Sequence, residues 1–132
     1  MNASSSPSPS DAPVDGARLA AAIVACQRAI TPSRTLDAQI ALAVFPALID
    51  LSIVEAGIWL QGSGTRVRAL RYSQVPEAAA TLVPAGHWID VEGADVIVTG
   101  AEGAWAGAHR HAAISLCIAA LSARLARVRH VH

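Results

Sequence analysis

The residues that could do chemistry crowd one end of the chain. "HRHAAISLCIAALSARLARVRHVH", from His109 to His132, holds four of the five histidines and Cys117, one of the two cysteines. A metal site on a helix needs ligands three or four residues apart, so that they share a face. His109 and His111 are two apart and project differently from a helix start. His130 and His132 could share one face of an extended end, and His87 is a distant fifth. A reactive cysteine needs its thiolate stabilised by a cation or a helix N-terminus. Cys117 instead sits among Ile114, Ile118, Leu121, Leu125 and Val128, which recur at helical steps. The stretch therefore reads as a helix with one apolar face and polar Ser115, Ser122, Arg124 and Arg127 opposite. It predicts a buried thiol, no metal and no cofactor.

Other constellations carry no more. "GSG" at 62–64 falls in a hairpin, not between a strand and a helix, so it is no phosphate loop. There is no GxSxG nucleophile turn. Asp90, Glu92 and Asp95 gather at one turn, which reads as solvated. Cys26, like Cys117, lies on an apolar helical stripe, and the two form no CxxC. Free buried thiols are expected of both. No catalytic residue can be named.

The elements that must carry these residues follow from periodicity. With 132 residues there is room for one domain. Residues 1–13 are Ser, Pro, Ala and Asp with little to bury, and read as a disordered tail before a single domain at 14–130. Asp15 caps a helix to about Ile30, with Leu19, Ile23, Cys26 and Ile30 on one stripe. Ser33 or Thr35 caps a second helix, which Pro46 ends. "IVEAGIWL" and "TRVRALRY" read as strands across a "QGSG" turn. "VPEAAATLVP" is a short helix with Pro76 in its first turn. "HWIDVEG", "ADVIVTG" and "EGAWAGAH" add further strands before the last helix. The expected class is α+β: an α/β/α sandwich with one mainly antiparallel sheet of four to five strands covered by helices.

Formal net charge is zero, with ten acidic residues and ten basic ones, all arginine. This argues against general nucleic-acid binding. No apolar run reaches the roughly 20 residues of a membrane span, and the N-terminus lacks a signal peptide's basic and apolar regions. A cytoplasmic protein is expected. Trp59, Trp88 and Trp105 fall on different strands and read mainly as core. Trp88 alternates with Asp90 and Glu92, which makes it the candidate for an exposed anchor, with Arg66 and Arg68 beside it if the two strands pair.

Three stretches resemble a known family. "SRTLDAQIALAVFP", "AAATLVPAGHWIDVEG" and "AISLCIAALSAR" are similar to segments of the phage ABA-sandwich domain proteins, small phage and prophage proteins of GC-rich bacteria. The middle stretch is the most specific, with Leu82, Val83, Pro84, Gly86 and Trp88 in order. The resemblance covers residues 33–125 and implies an α/β/α sandwich. It supplies no catalytic residue. The chain departs from the family in an added helix before residue 30, in Val75-Pro76-Glu77, and in His109-Arg110-His111 before the last helix. The last departure lies where a partner could touch.

The expectation is a phage accessory protein that is not an enzyme and acts by binding a host or phage protein. An inhibitor of host defence, of the anti-CRISPR kind, is the sharper form. Arg66, Arg68, Trp88, His109, Arg110 and His111 are the candidate contact residues. The alternatives are a self-associating assembly component, such as a homodimer through "TRVRALRY" or the last helix, and a small histidine enzyme.

Overall fold

Asp15 and Ser33 start the first two helices. The Asp15 carboxylate accepts from the Ala17 N–H at 2.9 Å, and the Ser33 hydroxyl accepts from the Leu36 N–H at 3.1 Å. These bonds satisfy donors that the first helical turn leaves unpaired. The computed structural model describes residues 14–131. The tail read at 1–13, His132 and the side chains of His130 and Val131 lie outside the described residues.

In chain order the elements are α1 (Gly16–Arg28), α2 (Arg34–Val44), a 3₁₀ turn (Pro46–Asp50), β1 (Ser52–Glu55), β2 (Ile58–Leu60), β3 (Arg66–Arg68), α3 (Pro76–Ala80), β4 (Trp88–Glu92), β5 (Asp95–Gly100), β6 (Gly103–Ala108) and α4 (Ala112–Val131). The protein is mixed helix and sheet. The strands form two antiparallel three-stranded sheets, ordered β1-β2-β3 and β4-β5-β6, where one sheet of four to five was expected. The break has a visible cause. After β3 the Arg34 side chain donates to the carbonyls of Ala69 and Leu70, at 2.9 and 3.2 Å, and Tyr72 and Ser73 turn into the core. The chain then runs through α3 before the next strand begins.

"IVEAGIWL" is also divided. β1 and β2 pair antiparallel across Ala56–Gly57, and Gly57 takes φ +81°, a conformation a side chain would strain. A Cβ there would also meet the Arg34 guanidinium at 2.7 Å. Helix α1 ends at Arg28, so Ile30 leaves the apolar stripe expected for it and is 74% exposed.

Helix α4 is the centre of the fold. It packs on α1, α3, β5 and β6. From Ala113 to Leu121 every residue is buried, so this half is covered all round and has no polar face. Ser115, expected outside, is buried and donates to the His109 carbonyl at 2.9 Å. Small residues permit the close packing. A Cβ on Gly107 of β6 would lie 2.0 Å from the Ser115 carbonyl oxygen.

Candidate functional site

The candidate contact residues lie in three places. Arg66 and Arg68 are exposed on β3, whose only strand neighbour among the described residues is β2. Trp88 begins β4 in the other sheet and pairs with Thr99. The two strands do not pair, so the condition that would set the arginines beside Trp88 is not met. His109, Arg110 and His111 form the corner between β6 and α4.

That corner ties the start of α4 to the end of α1. His109 Nε2 lies 2.6 Å from the Ala29 carbonyl, at the end of α1, and the His111 N–H donates to His109 Nδ1 at 3.0 Å. A carbonyl only accepts, so Nε2 donates and Nδ1 accepts. Both ring nitrogens are engaged within the chain. The His111 ring is tilted against that of His109 at 5.6 Å, and Arg110 is exposed.

His87 is placed differently. Its Nδ1 bonds the Ala85 carbonyl at 3.1 Å, and its ring lies over Gly100, where a Cβ would be 2.4 Å from Nε2. The ring tilts against Trp105 at 5.9 Å. Together with Glu102, Ala123, Ala126 and Arg127 these two rings line a cleft of about 100 Å³. A second hollow of about 230 Å³, between α1 and α2, is lined by Arg18, Ala21, Gln39, Leu42, Ala43 and Ile49. Both fall below the roughly 300 Å³ at which small-molecule sites begin. Among the described residues no three His, Cys, Asp or Glu side chains are grouped to hold a metal.

Cys26 and Cys117 are both free and buried, on the facing helices α1 and α4. The Cys117 thiol donates to the Tyr72 carbonyl at 3.2 Å. A hydrogen bond with the Cys26 thiol, and then burial, push its pKa up, so it is a poor nucleophile. Burial likewise raises Tyr72, against the pull of Arg124. Arg124 is lowered by its own burial while its Nε donates to the Leu82 carbonyl.

One polar cluster is absent from the sequence reading. Asp37, on α2, is 1% exposed. Its carboxylate accepts from Ser73 N–H and Oγ at 2.8 and 2.6 Å and from Arg34 at 2.8 Å. The Ser33 N–H in turn donates to Ser73 Oγ at 3.1 Å. The spacing of Arg34 and Asp37 signals an i,i+3 pair, but nothing local points to Ser73. Every bond in the cluster stays within the chain and fastens α2 to the segment after β3.

What remains open is a surface. In the second sheet Val96, Val98 and Gly107 face α4, while the opposite face carries Trp88, Thr99 and Ala104 at one end, Asp90, Ile97 and Ala106 in the middle, and Glu92, Asp95 and Ala108 at the hairpin end. The three alanines of β6 are exposed, and Trp88 is 53% exposed with its Nε1–H on Asp90 at 3.1 Å. Trp59, in contrast, is 2% exposed and Trp105 is packed at the core's edge. The alanines of β6 leave that side of the face flat, while Asp90, Glu92 and Asp95 make the β4–β5 hairpin end acidic. Trp88 marks the rim of the face.

Comparison with family profiles, with curated proteins and with solved structures finds no match. Among the described residues no helix is long and apolar enough to cross a membrane.

Proposed function

We propose that the chain is a phage or prophage accessory protein that binds a protein of the host cytoplasm, a component of a defence system, and blocks it without chemistry of its own. The observation that carries this reading is the uncovered face of the β4–β6 sheet with Trp88 at its rim. An exposed tryptophan in line with Thr99 and Ala104 offers an apolar contact on a face that is flat along β6 and acidic at its hairpin end, and tryptophan is enriched among residues that dominate binding energy. The small clefts and the internally engaged His109 favour binding over catalysis. On this reading the two sheets and their helices are an α/β/α sandwich with a divided sheet, in line with the resemblance to phage ABA-sandwich proteins.

The test is a plaque assay in bacteria with an active CRISPR system. Expression of the chain restores plating of a targeted phage, and Ala106→Arg, which plants a charge in the flat face, abolishes the effect while leaving the fold intact. Unchanged plating across a panel of defence systems contradicts the inhibitor reading. A second reading, a self-associating assembly component, is favoured by the charges on the free sheet edges.

A further inference from the structure

We propose that copies of this chain join edge to edge, β3 of one copy adding to β4 of the next in a parallel ladder, with Arg66 beside Asp90 and Arg68 beside Glu92. Both strands are hydrogen-bonded on one side only. An unpaired edge is a template for another strand; shortness and like charge blunt β3 against its own kind, and a strand of opposite charge is the partner that lifts that block. β3 is basic at Arg66 and Arg68, and β4 is acidic at Asp90 and Glu92. All four of these side chains are exposed, as are the apolar Ile89 and Val91 between them, Val91 by 69%. The chain has no net charge to drive copies apart.

The backbone chooses the direction. The Ala69 N–H donates to Gly57 at 2.8 Å, and the Gln61 N–H donates to Thr65 at 2.9 Å. With Trp59 opposite Val67 between them, the odd residues of β3 face β2, and the N–H and C=O groups of Arg66 and Arg68 point outward. On β4 the two-residue loop Gly93–Ala94 closes Glu92 on Asp95, so Trp88, Asp90 and Glu92 bond to β5. Ile89 and Val91 are left pointing outward. In an antiparallel ladder outward residues stand opposite one another, so Arg66 and Arg68 would meet Ile89 and Val91. The carboxylates would then lie on the other face. In a parallel ladder an outward residue stands beside an inward one and bonds to its two neighbours. Arg66 then lies beside Asp90 and bonds Ile89 and Val91; Arg68 lies beside Glu92; Val67 covers Val91. Pairing β4 with a second β4 centred on Asp90 would set two carboxylates opposite each other, and β1 and β6, the other two edges, do not offer the acidic pair that Arg66 and Arg68 match. Each copy offers both edges, so the contact runs head to tail. It extends the face of the β4–β6 sheet that carries Trp88, Asp90 and Glu92 by one strand.

The experiment is sedimentation of the full chain against concentration at low and high salt, with two double variants. The wild type gains mass with concentration at low salt and loses it at about 1 M salt, where charges are screened beyond about 3 Å. Arg66→Glu with Arg68→Glu weakens association about tenfold or more, as does Asp90→Arg with Glu92→Arg. All four sites are exposed, so each variant keeps the wild-type melting temperature. Mixing the two variants restores association, because each then supplies the charge the other lacks. A wild type that stays monomeric at low salt overturns the proposal. So does an arginine variant that associates like the wild type, or a mixture that remains monomeric.

Discussion

Asp37 and Ser73 are bonded twice across 36 residues of sequence, backbone to carboxylate at 2.8 Å and hydroxyl to carboxylate at 2.6 Å. The carboxylate is buried, and Arg34 completes its shell. Removing it leaves the buried Ser73 N–H without its acceptor and takes from Arg34 its counter-charge. Asp37→Ala is therefore expected to cost about 3 kcal/mol, measured by urea unfolding. Ser73→Ala, which keeps the backbone bond, costs about 1 kcal/mol. Equal losses for the two variants would contradict the carboxylate as the centre of the cluster.

Gly107 sets the distance between β6 and α4. With the Ser115 carbonyl 2.0 Å from the place of a Cβ, the strand or the helix must move to admit alanine. Gly107→Ala is expected to cost roughly 3 kcal/mol, seen as a lower melting temperature. Gly62, which has nothing within 4 Å of such a Cβ, is the control, and Gly62→Ala leaves stability unchanged. A neutral Gly107→Ala would mean that α4 is not seated against the sheet.

The thiol pair gives a pH dependence of definite sign. Folding raises Cys117 above its ordinary 9.0, through its bond with Cys26 and its burial. Its contribution is complete below pH 9 and is lost as the unfolded thiol ionises at higher pH. Burial raises Tyr72 above 10.0 and adds the same sign further up. Stability should fall by up to about 1.4 kcal/mol for each pH unit above 9. Cys117→Ala should flatten the first part of that slope in urea titrations. Native protein should also resist thiol reagents until it is unfolded.

The tryptophans should separate cleanly. Trp59→Ala removes a buried ring and costs about 4 kcal/mol. Trp88→Ala removes a half-exposed one and costs less than about 1 kcal/mol. Iodide quenching of the wild type should reach Trp88 and spare Trp59. A large loss for Trp88→Ala would place that ring in the core and remove the rim of the flat face.

Helix starts were readable because capping is local: Asp15, Ser33 and Pro76 act within one turn of themselves. The hairpin β4–β5 was readable for the same reason. The division into two sheets was not, because it depends on Arg34 reaching carbonyls more than thirty residues away. The burial of the first half of α4 on all sides also depends on neighbours that arrive from elsewhere, α1, α3 and the second sheet. Of the candidate contact residues, the exposure of Trp88 was legible in its alternation with Asp90 and Glu92. The role of His109 was not, since its acceptor, Ala29, is distant in sequence. The flat face itself left a faint trace, Ala104, Ala106 and Ala108 at a period of two.

The central claim is that this protein works through the open face of its second sheet. Affinity capture of the chain from bacterial lysate, with wild type, Trp88→Ala and Ala106→Arg side by side, tests it most directly. The account predicts a stoichiometric protein in the wild-type eluate that weakens with Trp88→Ala and disappears with Ala106→Arg, while all three chains unfold at the same temperature. A partner retained in full by Ala106→Arg would contradict it and move the binding surface elsewhere on the molecule.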